Sequence, residues 1–186
     1  MPKLIDTSVQ SDVVGAIAFV GIDPGVGGGL AVVSRDGKWA NAIAMPSAEA
    51  EVWKWFGQVI QISGRLFTFG CIELVGGYVG SYNREEGDDG SKSNPGSAMF
   101  VFGQSYGALR MALVAAEIPF EAVRPQAWQK ELGIMRTGEV GVTQWKNRLK
   151  LEAQRLFPDI KVIKKTADAL LIAEYARRKW SMTCRS

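Results

Sequence analysis

Three apolar stretches, far apart in a chain of 186 residues, each carry a carboxylate where an apolar element ends or a helix begins. They read AFVGIDPGVGGG with Asp23, FGCIELVGG with Glu73, and KKTADALLIAEYA with Asp168. Asp23 and Glu73 fall on stretches that predict buried strands, where an unpaired charge is costly unless a metal or a partner compensates it. A fold that accepts all three must bring the ends of distant elements to one polar spot. The chain contains no histidine. His-based general-base chemistry and most zinc sites are therefore excluded, which leaves oxygen ligands suited to Mg²⁺ or Mn²⁺.

Taken singly, two of the acids say little. Asp23 opens an Asp-Pro-Gly turn, a common use of Asp and Pro. Asp168 falls in the first turn of a helix predicted to start at Thr166, where the dipole favours an acid. Glu73 is the stronger signal, because it interrupts Phe69-Gly-Cys-Ile-Glu-Leu-Val, a run otherwise apolar on both faces. Together the three point to a single divalent-metal site.

The patterning predicts a mixed α/β domain. Strands are expected at Ala16–Asp23, Leu30–Ser34, Trp39–Ala44, Phe67–Leu74 and Phe120–Val123. Asp36-Gly37 signals a hairpin between the second and third. Helices are expected from about Ala48 to Ile62 behind a Ser47 cap, over Ala98–Ile118, and in a short turn opened by Pro125. Two more are expected from a Thr143 cap to Phe157 and from Thr166 to about Arg178. Gly76–Ser97 has six glycines and the acids Glu85, Glu86, Asp88 and Asp89, the composition of a functional or mobile loop. Met135–Val142 reads as a second loop of that kind. Gly103 and Gly107 share one face of the long helix, and core packing is the first expectation for them, ahead of a dimer interface.

Charge is unevenly placed. Residues 1–123 hold 8 Lys and Arg against 13 Asp and Glu, while residues 124–186 hold 14 against 6. A basic final third suits a polyanion, although on charge alone a solvated helical surface is the first expectation. Cys71 and Cys184 are too few for a disulfide framework and point to a reducing, cytoplasmic setting. Val13–Ile22, the longest apolar stretch, is too short for a membrane span, and Asp6 and Asp12 make the N-terminus a poor leader. Residues 1–15 are expected to form a loose arm, 16–180 one domain, and 181–186 a tail.

GIDPGVGGGLAVV, IELV and TADALLIAEYA resemble the RuvC-type Holliday-junction resolvases of the ribonuclease H-like superfamily, most closely the phage and organellar branch. FVFGQSYGALRMAL, IPFEAVRPQAWQKELG and WKNRLKLEAQRLFP extend the resemblance in order from Ala16 to Tyr175. It implies a ribonuclease H-like five-stranded mixed β-sheet flanked by α-helices. It also implies a homodimer that nicks four-way junction DNA in pairs, leaving 5′-phosphate and 3′-hydroxyl ends, in a bacterial or phage-infected cell or an organelle. Asp23, Glu73 and Asp168 would hold two Mg²⁺ ions per site, with Mn²⁺ as a substitute. Lys146, seven residues before Ala153, matches a family lysine that neutralises charge on the scissile phosphate. Arg124, Lys130, Arg148, Lys150, Lys164 and Lys165 would contact phosphates, and Tyr82, with Tyr78 and Phe100, is an aromatic for the junction centre.

One departure stands out. Where the family has a fourth acid or a histidine, three or four residues before the last aspartate, this chain has Lys165 and Lys164. That motivates a second expectation, a protein that binds branched DNA without cutting it. A third is a ribonuclease H-like enzyme acting on RNA–DNA hybrids. An actin-like or sugar-kinase ATPase needs two such domains, so no nucleotide cofactor is expected.

Overall fold

The computed structural model describes residues 17–63, 68–75, 95–136, 138 and 140–181. Period-two alternation in its central strands organises everything else. In β1 (Ala18–Asp23), Ala18, Val20 and Ile22 face one side of the sheet and Phe19 faces the other. β2 (Gly29–Ser34) repeats the pattern, with Leu30 and Val32 on the first side and Ala31 and Val33 on the second. Strands buried on both faces need a helical layer on each.

The sheet is completed by β3 (Ala40–Ala44), β4 (Thr68–Glu73) and β5 (Phe120–Val123), in the order β3-β2-β1-β4-β5. β1, β2 and β3 form an antiparallel meander, whereas β1, β4 and β5 run parallel. One face carries α1 (Glu49–Ser63) and α2 (Pro95–Ala115), seated through Val52, Trp55, Phe56, Val59, Leu109 and Leu113. The other carries α3 (Pro125–Glu131), α4 (Val142–Leu156) and α5 (Lys164–Ser181). This is the expected ribonuclease H-like α/β arrangement of five mixed strands and flanking helices. Among the described residues no helix is long and apolar enough to cross a membrane.

α5 is the central helix, buried along its whole middle from Thr166 to Ala176. It can come this close because position 21 is glycine. A Cβ there would lie 2.1 Å from the Ala169 carbonyl oxygen and 2.3 Å from the Ala173 nitrogen, both backbone atoms that cannot move aside. At its far end, buried Glu174 accepts from Arg177 at 2.6 Å and Arg178 at 2.8 Å, and Arg177 also donates to the Arg35 carbonyl. The helix is thus tied to the β2–β3 hairpin. Lys179 is paired with Glu121 of β5. These last-turn cations serve the fold.

Several expected boundaries move. α4 begins at Val142 with Gly141 as its N-cap, and no side chain caps it, so Thr143 is inside the helix. α5 begins at Lys164, two residues before the expected start, and Thr166 Oγ1 hydrogen-bonds back to the Ile163 N–H and carbonyl from within the first turn. Asp168 is therefore beyond the first turn, and the dipole does not account for it. α2 takes Pro95–Ser97 from the predicted loop, while residues 76–94, with Tyr78, Tyr82 and the acidic run, lie outside the described residues. Gly103 and Gly107 are exposed, and a Cβ at either would meet nothing within 4 Å. Core packing is therefore not their role.

Gly21→Val should prevent folding, whereas Gly107→Ala should leave the melting temperature of the isolated fold unchanged or raised, since it adds helix propensity at an open position. Circular dichroism melts check both. A folded Gly21→Val protein would contradict the close packing of α5 on β1.

Candidate active site at the carboxyl edge of the sheet

The same alternation that seats the helices sets the acids. Phe19, Gly21 and Asp23 share the α5 side of β1, and Phe69, Cys71 and Glu73 share it on β4. β1 and β4 are parallel and pair Ile22 with Ile72, so the next residue of each, Asp23 and Glu73, ends its strand beside the other. Asp168 stands one residue before Ala169, whose carbonyl oxygen abuts Gly21. Carboxylates from β1, β4 and α5 thereby lie at one edge, near enough to feel one another's charge.

Their charges are strongly coupled. Burial, then the charges of Asp168 and Glu73, push the Asp23 carboxyl up to about 7, against a smaller opposing pull from Lys146. Burial also raises Glu73; the Trp128 hydrogen bond lowers it, Asp168 raises it and Lys146 lowers it. Lys146, from α4, forms an ion pair with Asp168 Oδ2. Burial works against the Lys146 charge, yet the bond to Asp168 and the fields of all three acids hold its ammonium above the ordinary lysine range. The Asp168 side chain is only 6% exposed, and its Oδ1 is buried with no hydrogen-bond partner among the described residues.

An orphaned carboxylate oxygen, an elevated aspartate and an all-oxygen donor set fit a hard divalent cation. The shell is not closed, however. The acids feel one another's charge, but among the described residues no three of them are grouped so as to hold a single ion, and Lys146 takes Asp168.

The remaining predicted residues separate into near and far. Arg124 directly follows Val123, which pairs with Glu73, so it flanks the acids at the same edge. Lys150 lies one turn beyond Lys146 on α4, while exposed Arg148 stacks its guanidinium 5.8 Å from the Trp145 ring centroid. Lys130 is exposed on α3. Lys164 and Lys165 are both exposed in the first turn of α5, on the solvent side of Asp168 in the chain. Tyr82 lies outside the described residues. Sequence reasoning missed Trp128, whose Nε1 donates to Glu73 Oε2 at 3.0 Å. A tryptophan three residues after a helix-opening proline, on an otherwise polar turn, was the available signal.

The fold is a RuvC-like arrangement of the ribonuclease H-like α/β type. Thermus thermophilus RuvC in complex with a Holliday-junction substrate superposes with a TM-score of 0.55 at 17% identity, covering 90% of this chain and 96% of that one. A second Thermus thermophilus RuvC structure gives 0.51 at 18% identity, with 89% and 98% covered. No protein-family model matches the chain, and no curated protein matches it. The likeness therefore establishes the fold, and nothing in it singles out the phage and organellar branch.

The raised Asp23 value gives a signed prediction for the metal-free protein. The folded state binds this proton more tightly than the unfolded chain, so its stabilisation is complete below about pH 4 and is lost as the pH rises to about 7. Asp23→Asn removes the penalty. In EDTA its stability relative to wild type should grow through that window, by on the order of 4 kcal/mol, and level off above it. A pH-independent difference in urea melts would mean that Asp23 does not stand in a cluster of like charges.

Proposed function

We propose that the chain is a divalent-metal-dependent endonuclease that resolves four-way DNA junctions. The observation that carries this reading is the carboxylate edge of Asp23, Glu73 and Asp168, with a lysine paired into it, on a RuvC-like fold. Asp23, Glu73 and Asp168 would hold Mg²⁺ or Mn²⁺, which at such sites supplies an activated water and stabilises the leaving oxygen. The protein's own groups do the rest. Lys146 has two further N–H donors beyond the one given to Asp168, and these suit the charge that builds on the scissile phosphate. Arg124, Lys130, Arg148, Lys150, Lys164 and Lys165 bind phosphates around the cut, so affinity falls steeply with salt.

Paired nicks call for two sites related by a two-fold axis, and α2 offers the surface for a homodimer. Its outward face repeats Phe100, Gln104, Gly107, Met111 and Val114 at alternating four- and three-residue steps, the spacing of a helix–helix seam. Phe100 is 66% exposed, Met111 59% and Val114 57%. Arg110 is the one charged residue of the helix, so a second α2 meets little like-charge repulsion, and Gly103 and Gly107 leave room for its backbone. A groove of about 470 Å³ against α1, lined by Val26, Trp53, Val101 and Met111, continues the apolar surface.

Junction binding without cleavage is the second reading. It is favoured by the open carboxylate shell and by exposed Lys164 and Lys165 standing where the family resemblance implies a fourth ligand.

A labelled four-way junction, a plain duplex and an RNA–DNA hybrid, each with Mg²⁺, Mn²⁺ or EDTA, separate the readings. The expected result is symmetric nicks in the junction alone, abolished by EDTA and reduced at least about 1000-fold in Asp23→Asn. Junction binding with no cut in either metal would establish the second reading, and hybrid cleavage would redirect the assignment. Met111→Asp should convert the dimer to monomer in sedimentation velocity and uncouple the paired nicks. An unchanged sedimentation coefficient would remove α2 from the interface.

A further inference from the structure

Glu73 differs from its two partner acids in how it is held. It ends β4, where the ladder stops, and its long side chain has three torsions to fix. Among the described residues, the hydrogen bond given to its carboxylate comes from the Trp128 indole. Trp128 is fully buried, in one cluster with Trp145 and Leu149 of α4 and with Ala167 and Leu171 of α5. These helices also carry Lys146 and Asp168. The indole is therefore clamped on several sides, and its N–H has a fixed direction.

We infer that Trp128 is a positioning residue that pins Glu73 Oε2 and leaves Oε1 as the atom offered to a cation. This deepens the metal-site reading and rests on it. The choice of donor matters chemically. A lysine or arginine would orient the carboxylate but also neutralise it, in competition with the metal. An indole N–H orients it and leaves its full charge available.

The plainer explanation is that a buried indole needs an acceptor. Trp55 argues against burial as sufficient, since it is just as buried and its Nε1 has no hydrogen-bond partner among the described residues. The Trp128 N–H is directed at an acid of the site, while the Trp55 N–H is directed at none.

The test reads Mn²⁺ affinity, by electron paramagnetic resonance of the free ion, in the full-length protein without DNA. Trp128→Phe should weaken Mn²⁺ binding about tenfold or more, the usual effect of losing a partner that orients a ligand. Trp55→Phe should not change it. Glu73→Gln should weaken binding as well, and adding Trp128→Phe to it should cause no further loss, because the two act through one bond. If Phe unfolds the protein, 3-benzothienylalanine at position 128 keeps the shape without the N–H and should give the same loss. Wild-type affinity in that variant, with Glu73→Gln impaired, would overturn the role of Trp128 while leaving the metal site intact. Mn²⁺ binding insensitive to Glu73→Gln would instead overturn the site reading, and this inference with it.

Discussion

The contact on which the molecule depends is backbone against backbone, α5 lying on β1 at Gly21. With 2.1 Å between the Ala169 carbonyl oxygen and the place a Cβ would occupy, no other residue allows the helix to settle there. That approach fixes where Asp168 falls, one residue before Ala169, relative to Asp23, two residues after Gly21. The acids do not draw themselves together; burial first, and then their mutual repulsion, raises Asp23 and Glu73. Packing assembles them. The buried middle of α5, from Thr166 to Ala176, and the Glu174–Arg177 tie at its other end supply the opposing stability. Like charges held close by a rigid apolar frame are the usual signature of a site kept for binding or catalysis rather than for the fold.

Much of this could be read in the sequence because β-strand periodicity carries both the core and the site. Once Phe19, Gly21 and Asp23 are seen as one face of a strand, the acid must lie on the side of whichever helix packs there. Glu73 was legible for the same reason, as a charge inside a run apolar on both faces. Lys146 had a weaker signal, a position in a family-like stretch, and the structure places it on Asp168. What could not be read depended on tertiary neighbours. Gly103 and Gly107 on one helical face are equally consistent with core and with open surface, and the side of α2 that meets the sheet, through Leu109 and Leu113, decided it. The start of α5 was misplaced because Thr166 behaves like a cap in sequence, while its hydroxyl in fact reaches back from within the first turn. Trp128 gave only a weak signal, its place after a helix-opening proline, since its partner lies 55 positions away on another element.

The three acids are treated unequally, and the inequality has a chemical sense. Asp168 receives a full positive charge from Lys146, whereas Glu73 receives a neutral donor from Trp128. Asp23, at the end of the central strand, feels both other carboxylates and is raised to about 7. It is therefore the acid for which a divalent cation offers the largest gain, being buried and surrounded by like charge with the least compensation. On the proposed metal-site reading Asp23 would be the shared ligand, since β1 lies between β4 and the rest of the meander.

Charge counting then gives the lysine pair at 164 and 165 a meaning. Fully ionised, three carboxylates and the Lys146 ammonium leave two negative charges at the edge, enough to balance one divalent ion. A fourth acid in the first turn of α5 would leave three and favour a second ion. Lys164 and Lys165 shift the edge the opposite way, and they do so at a helix N-terminus, where the dipole already adds positive potential. On the proposed reading such an edge would balance one divalent cation and an incoming phosphate, where the family resemblance implies two cations. The second positive centre would then be filled by the protein's own lysines, and the phosphodiester backbone would complete the balance that the missing acid leaves open.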